Sequence, residues 1–376
     1  MGENTGENQS KQETGQAVEP ALKKKNWKKH IPLLILELVI LVIAIGFMYV
    51  ATRTEEEVER VEINKEEIKV NEEVKKEIEI AQENEEFTGY WNIALFGVDA
   101  RDNNLGKGNR SDTIIVCSVN MDTYEVRLIS VYRDTYLNLG NDTYNKCNIA
   151  YAKGGQEMAL SMLNMNLDMY ITDYVTIGFS GLIEAIDALG GIEMDITQVE
   201  ISHLNNYQIS MAEDMDITYT PVKEAGKQTL NGLQATAYCR IRYTAGDDFR
   251  RAQRQRDVLA AMLEKAKTAS VSNLTKMMNA LLPNVSTSLK VEDMIPVMGM
   301  LTKYKVTVSE GFPFESNRGS WTVGSKGSCV IPLTLEENVT LLHEILFEKE
   351  AYNTSKEVKT YSKLIEEETN KYKSDL

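Results

Sequence analysis

The chain has 376 residues and a formal net charge of −15 at pH 7, from 56 Asp and Glu against 41 Lys and Arg. That length holds one sizeable folded domain with appendages, and so acidic a balance argues against a nucleic-acid-binding surface. Its three histidines, His30, His203 and His343, lie in no charged constellation, and its four cysteines form neither a C-x-x-C pair nor a zinc pattern, which argues against Ser/His catalysis and a zinc site. Cys117, Cys147, Cys239 and Cys329 each sit among apolar neighbours and read as small buried hydrophobes.

Residues 1–30 are polar and end in a basic run, Lys23, Lys24, Lys25, Lys28 and Lys29, and read as a disordered cytoplasmic tail. Of the twenty positions from Ile31 to Val50, sixteen are Ala, Val, Ile, Leu, Met or Phe and only Glu37 is charged. A helix of that length spans a bilayer's hydrocarbon, at about 30 Å. A cleaved signal peptide is the alternative, against which the stretch is longer than the usual apolar region and is followed by no convincing small-residue cleavage site. From Glu55 to Glu86 there are 14 glutamates against five basic residues. Positive flanks stay cytoplasmic, so the chain beyond Val50 is expected outside a single-pass membrane anchor. Residues 51–86 lack a sustained heptad seam and read as an acidic extracellular stalk.

The folded domain is expected over 87–350. Trp91–Val98 is a nearly all-apolar run, as in a central strand buried on both faces. A glycine- and asparagine-rich loop, 102–109, leads to Arg110, Ser111 and Asp112 and a strand over Ile114–Val119. Tyr124–Val131 is a third strand, ending before Arg133 and Asp134. Asp99, Asp112 and Arg133 thus meet at one strand-end edge, where such sheets bind ligands. The pattern then predicts a helix near 155–166, a strand at 170–178, a helix over Ser180–Leu189 and a strand over Ile192–Ile196. Residues 197–225 read as an irregular loop over the site, and Gly226–Thr236 as a helix. Beyond Arg256 the chain reads as helical to about 303, with a strand from Lys305, a last helix over Leu335–Phe347, and a charged tail at 351–376. The fold class is α/β: a central mixed β-sheet flanked by helices on both faces, after an N-terminal transmembrane helix. Methionines 262, 277, 278, 294, 298 and 300 read as core, with an apolar groove for a lipid chain as the alternative.

Six of the 13 arginines fall between 240 and 256. Tyr238–Tyr243 reads as a strand, which would send Arg240 and Arg242 from one face as a fork. Arg251 and Gln255, four apart at a helix opening, share another face. Converging guanidinium groups suit phosphate or pyrophosphate; a solvated basic helix start is the alternative. Two aspartates at one edge repel unless a cation joins them, and magnesium takes one or two carboxylates together with phosphate and water. The alternative is that Asp112 caps a turn and Asp99 simply ends a strand.

Gly97-x-Asp99-x-Arg101, Arg110-Ser111-Asp112-Thr113, Arg133-Asp134, Lys146-x-Asn148-x-Ala150-Tyr151, Leu230-Asn231-Gly232-x-Gln234-Ala235 and Arg240-x-Arg242 with Asp248-x-x-Arg251-x-x-Arg254-Gln255 together resemble the LytR-CpsA-Psr family of bacterial cell-wall ligases. The resemblance covers about 87–350. It implies transfer of a phosphate-linked glycopolymer, of teichoic acid or capsular polysaccharide type, from a polyprenyl pyrophosphate carrier to peptidoglycan, outside the membrane of a Gram-positive-type bacterium. It further implies a magnesium site at Asp99 and Asp112 and a catalytic group of Asp99, Arg133, Arg240, Arg242 and Asp248. The implied phosphate site is Arg110, Arg133, Arg240, Arg242, Arg251, Arg254 and Gln255. Asp247 competes with Asp248 for its position, and the spacing to Arg251 and Gln255 favours Asp248. Polyprenyl pyrophosphate hydrolysis and a non-enzymatic receptor for anionic polymer or lipid remain the alternatives.

Overall fold

The computed structural model describes residues 63–83, 89–99, 104–242, 247–290, 297 and 299–373. The proposed cytoplasmic tail and the membrane span at 31–50 lie outside the described residues, and no helix among the described ones is long and apolar enough to cross a membrane. In chain order the first elements are α1 (Glu72–Glu83), β1 (Tyr90–Val98), β2 (Ser111–Asn120), β3 (Glu125–Val131), β4 (Tyr136–Asn138), β5 (Tyr144–Lys146), α2 (Asn148–Leu167), β6 (Asp173–Ile177), α3 (Phe179–Ala188) and β7 (Ile192–Ile196). They are followed by α4 (Gln198–Met215), β8 (Gly226–Leu230), α5 (Gly232–Arg240), α6 (Asp247–Thr268), α7 (Val271–Leu281), β9 (Val285–Thr287), β10 (Lys305–Phe312), β11 (Arg318–Thr322), β12 (Ser328–Pro332), α8 (Leu335–Phe347) and α9 (Lys356–Asn370).

A mixed six-stranded sheet in the order β10-β3-β2-β1-β6-β9 forms the centre. β1 pairs antiparallel with β2 and parallel with β6, while β3 runs antiparallel to β2 and parallel to β10. The C-terminal ends of β1, β3 and β6 therefore meet the start of β2 along one edge. Strand side chains alternate between faces. Ala94, Phe96, Val98, Ile114, Val116 and Ile129 enter the main core with Leu160, Leu163, Leu342 and Ile365 from α2, α8 and α9. Ile115, Val119, Val126 and Leu128 pack on the other face, where Leu259 and Leu263 of α6 cover them.

Several expectations change in three dimensions. Tyr238–Arg240 is the end of helix α5, not a strand, so Arg240 and Arg242 do not form a strand fork. The helix is set at its start: the Asn231 side chain accepts from the Gln234 amide at 2.8 Å, and the Gln234 side chain accepts from the Asn231 amide at 2.9 Å. This reciprocal cap satisfies two orphan donors and overrides the strand preference of Tyr, Cys and Ile. Gly232 is required beside it, because a Cβ there would lie 2.1 Å from the Ile183 carbonyl oxygen of α3.

Residues 197–225 are not irregular throughout, since α4 opens with a capping box between Thr197 and Glu200. The Thr197-x-x-Glu200 spacing is a legible helix start. Gly226–Thr236 divides into β8, paired with β7, and the first turns of α5. The helical reading toward 303 is interrupted by β9, and α2 begins earlier than expected, at Asn148, with a non-helical break at Gly155. Part of the presumed stalk is packed: Ile68 and Val74 are buried, and Asn71 donates to the Met165 carbonyl at 2.9 Å and to Asp168 at 2.5 Å. The tail beyond 350 carries α9, whose Val358, Tyr361 and Ile365 enter the main core.

Candidate active site

Along the shared strand-end edge opens a cavity of about 500 Å³. Asp99, Asp112, Arg240, Arg242, Arg251 and Gln255 line it together with a deep apolar wall that includes Leu95, Ile115, Val175, Leu182, Val258, Leu259, Met262, Met278, Leu281 and Val285. Met262 and Met278 thus face a cavity, as the lipid-groove alternative required. One part of the lining is charged and the greater part is hydrocarbon, a combination suited to an amphiphile with an anionic head.

The register explains how Asp112 reaches the edge. Gly97 pairs with Thr113 but Val98 pairs with Ser111, which leaves Asp112 as an extra residue in β2. Such a bulge re-aims a side chain at a sheet edge. Gly97 permits the close approach, since a Cβ there would lie 2.8 Å from Thr113 Oγ1.

The charged part is a cluster centred on Asp248. Arg251 Nη1 lies 3.1 Å from Asp248 Oδ1, Arg242 Nε 3.8 Å from the same oxygen, and Arg133 Nη2 3.7 Å from Oδ2. Arg133 also donates to Asp112 at 2.7 Å and lies 3.6 Å from Asp134, which Lys146 approaches at 3.3 Å. Asp248, the residue that the spacing favours, stands at the centre of this cluster; the side chain of Asp247 is outside the described residues. Arg133, Asp134 and Asp248 line a second, smaller hollow that shares Asp112, Arg251 and Gln255 with the main cavity.

Within this cluster cations exceed what the carboxylates satisfy. Arg251 Nε is buried and meets no hydrogen-bond acceptor among the described residues, and the buried Arg133 Nε has only Asp134 before it, at 3.6 Å, beyond hydrogen-bond reach. Burial, followed by the neighbouring Arg133 guanidinium, pushes Arg251 down to about 10 against the opposing pull of Asp248. Arg133 moves the other way: burial works to lower it, but Asp112, Asp248 and Asp134 more than offset that. Buried donors without acceptors, on arginines that repel each other, define a place that gains from an arriving anion.

Arg240 lies 3.9 Å from Asp99, and its guanidinium stands over the Phe179 ring at 4.6 Å and near the Tyr207 ring at 5.6 Å. Stacking of this kind holds the planar group in one orientation. These two aromatic residues were missed from sequence. Phe179 follows the C-terminal end of β6, a position that signals a site once the strand order is known, whereas Tyr207 comes from α4 within the supposed loop. Cys239 lines the same cavity, but burial pushes its thiol up to about 12, so it acts as an apolar wall.

Two of the expected phosphate ligands are brought to neither hollow, and Arg133 lines only the smaller one. Arg110 is exposed and lines neither hollow. Arg254 is buried behind the cavity, with Nε donating to Glu200 at 2.9 Å. It lies three residues after Arg251 and directly before Gln255, but its rotation on α6 turns it inward.

The LytR_cpsA_psr family model matches residues 47–324. The chain is 35% identical over 207 residues to a protein of Enterococcus faecalis named polyisoprenyl-teichoic acid–peptidoglycan teichoic acid transferase TagU, covering 54% of this chain and 63% of that one. The first curated relatives are spanned over 50% to 63% of their own length, less than two thirds. Among solved structures, an E. faecalis protein described as a transcriptional regulator is 28% identical with a TM-score of 0.55, over 76% of this chain and 95% of that one. YwtF (TagT) of Bacillus subtilis, solved with bound octaprenyl pyrophosphate lipid, shares the fold at a TM-score of 0.51 and 21% identity, over 69% and 92% of the two chains. With the six ordered motifs, the strand-end cavity and a family match across most of its length, the chain belongs to the LytR-CpsA-Psr family.

Proposed function

We propose that this protein is a membrane-anchored extracellular phosphotransferase that moves a phosphate-linked glycopolymer, of teichoic acid or capsular polysaccharide type, from a polyprenyl pyrophosphate carrier to peptidoglycan. The observation that carries the reading is the division of one cavity into a hydrocarbon-lined bore and an arginine-rich mouth. A prenyl chain fits the first and a pyrophosphate the second. The transferase name of the E. faecalis relative and the octaprenyl pyrophosphate in the B. subtilis one support the same substrate class. The anchor rests on residues 31–50, and the external location on the charges that flank them.

Arg240, Arg242 and Arg251 would bind the pyrophosphate oxygens, with Gln255 and the unfilled Nε donors of Arg133 and Arg251 completing the contacts. Asp248 holds three of these arginines together and is a positioning group. Asp99 and Asp112 line the same cavity and offer hard carboxylate oxygens, the donor type that suits magnesium when phosphate and water supply the remaining ligands. A magnesium ion held there would neutralise charge on the pyrophosphate. The arginines stabilise charge accumulating on the leaving lipid phosphate and leave the sugar-linked phosphorus open to in-line attack by an acceptor hydroxyl. Asp99, half exposed beside Arg240, would take the hydroxyl proton.

The test incubates the full-length chain in detergent with a polyprenyl pyrophosphate-linked glycan and peptidoglycan oligomers, with magnesium or EDTA, and follows lipid release and glycan attachment by mass spectrometry. Magnesium-dependent attachment is expected. Release without attachment would point to a hydrolase, and tight binding without either to a receptor.

A further inference from the structure

Arg254 faces away from the cavity that its helix neighbours line. Its side chain is 1% exposed. Nε donates to Glu200 Oε1 at 2.9 Å, and Nη1 donates to the Ile241 carbonyl at 3.1 Å. The guanidinium also lies 5.6 Å from the centre of the Tyr238 ring. Glu200 is committed at its other oxygen, where Oε2 accepts from the Thr197 amide at 3.0 Å and the Thr197 hydroxyl at 2.7 Å. Its pKa is lowered on balance: burial opposes ionisation, but the Thr197 and Arg254 hydrogen bonds prevail.

Ile241 is the residue between Arg240 and Arg242, both of which line the cavity. It caps the C-terminus of α5, its amide donating to the Tyr238 carbonyl at 3.3 Å. One buried guanidinium therefore joins the start of α4, the second turn of α6 and the peptide that carries both cavity arginines. A buried ion pair contributes little net stability compared with an apolar pair of similar size. What this pair does supply is a fixed position for the Ile241 carbonyl.

We propose that Glu200 and Arg254 are positioning residues of the anion site: they hold the Ile241 peptide, and through it the placement of Arg240 and Arg242, without touching the anion. This rests on the reading of Arg240 and Arg242 as pyrophosphate ligands. Rigid placement matters because an error of about 1 Å in a supporting shell can cost on the order of a hundredfold.

The test uses the full-length chain in detergent micelles, with geranylgeranyl pyrophosphate as the probe in calorimetric titrations and a thermal midpoint measured for each variant. Arg254→Met leaves Glu200 unpaired and is expected to weaken binding but also to unfold easily. The double variant Glu200→Met with Arg254→Met removes both charges together, so its midpoint should fall less than that of Arg254→Met, by the lost Thr197 cap and Ile241 hydrogen bond, while its affinity falls about tenfold. Arg240→Ala, which removes a ligand directly, serves as the reference. A double variant with unchanged affinity, in a background where Arg240→Ala loses binding, would overturn the positioning role alone. Failure of the unaltered chain to bind the probe would overturn the anion reading and this inference together. A lowered midpoint with unchanged affinity would reduce Glu200 and Arg254 to ordinary scaffold.

Discussion

Two arginine–carboxylate clusters lie on α6 within one turn of each other, and they are built to opposite ends. Around Arg254, the Glu200 carboxylate is shared between its guanidinium and a helix cap, and another guanidinium nitrogen is used by the Ile241 carbonyl. Around Arg251, one carboxylate, Asp248, serves three arginines at 3.1 to 3.8 Å, and the Nε donors of Arg251 and Arg133 meet no acceptor within hydrogen-bond reach among the described residues. A closed cluster holds elements in place. An open one holds a deficit of negative charge, and that deficit is the site.

The contrast can be broken first at its closed side. Glu200→Ala leaves the Arg254 cation buried and unpaired and should destabilise the fold by about 3–5 kcal/mol; a urea midpoint that hardly moves would mean that the cluster is not closed. At the open side, Arg251→Ala should lower glycan transfer by about 10²–10³-fold, the range for losing a donor aimed at transition-state charge, with circular dichroism unchanged. Equal turnover in that variant would remove Arg251 from the chemistry.

Acid separates scaffold from site in another way. His343, stacked on Tyr352 at 3.7 Å and donating through Nε2 to the Leu167 carbonyl at 2.9 Å, is held down to about 4, by burial first. Between pH 6.5 and 4 the unfolded chain binds a proton there that the folded chain does not, so stability rises with pH across that window and is lost on acidification. The size is about 3 kcal/mol by the usual conversion. His343→Phe should flatten that part of the stability–pH curve. The arginines of the open cluster stay charged throughout, so titrations of the folded protein should not show a matching loss of anion affinity that depends on His343. The smallest effect is expected at Gly97→Ala, where a methyl group 2.8 Å from Thr113 Oγ1 forces the β1–β2 edge to shift. Overpacking of this kind costs about 1–3 kcal/mol, and a crystal structure of the variant should show Asp99 and Asp112 displaced.

Much of this site is legible as residue types in order. Asp99, Asp112 and Arg133 could be assigned to a common edge because strand periodicity and short connections already imply it. Arg240 and Arg242 were placed correctly at the cavity on an incorrect strand, since two residues beside one turn can reach a common hollow from a helix end as well. The Asn231–Gln234 and Thr197–Glu200 caps were readable as helix starts and would have corrected both α5 and α4. Arg254 could not be sorted from Arg251 by spacing alone. Both sit on one helix in an arginine-rich stretch, and the partner that claims Arg254, Glu200, is 54 positions away.

The sequence alone determined the acidic balance, the apolar stretch at 31–50, the strand alternation and the motif order that marks the family, because these depend on composition and local period. Only the tertiary structure decided that a segment of the stalk and helix α9 belong to the folded body, that methionines of α6 and α7 line a cavity, and which arginines remain short of acceptors. Those outcomes depend on which distant groups desolvate one another, and neither burial nor the pairing of charges is written in local spacing.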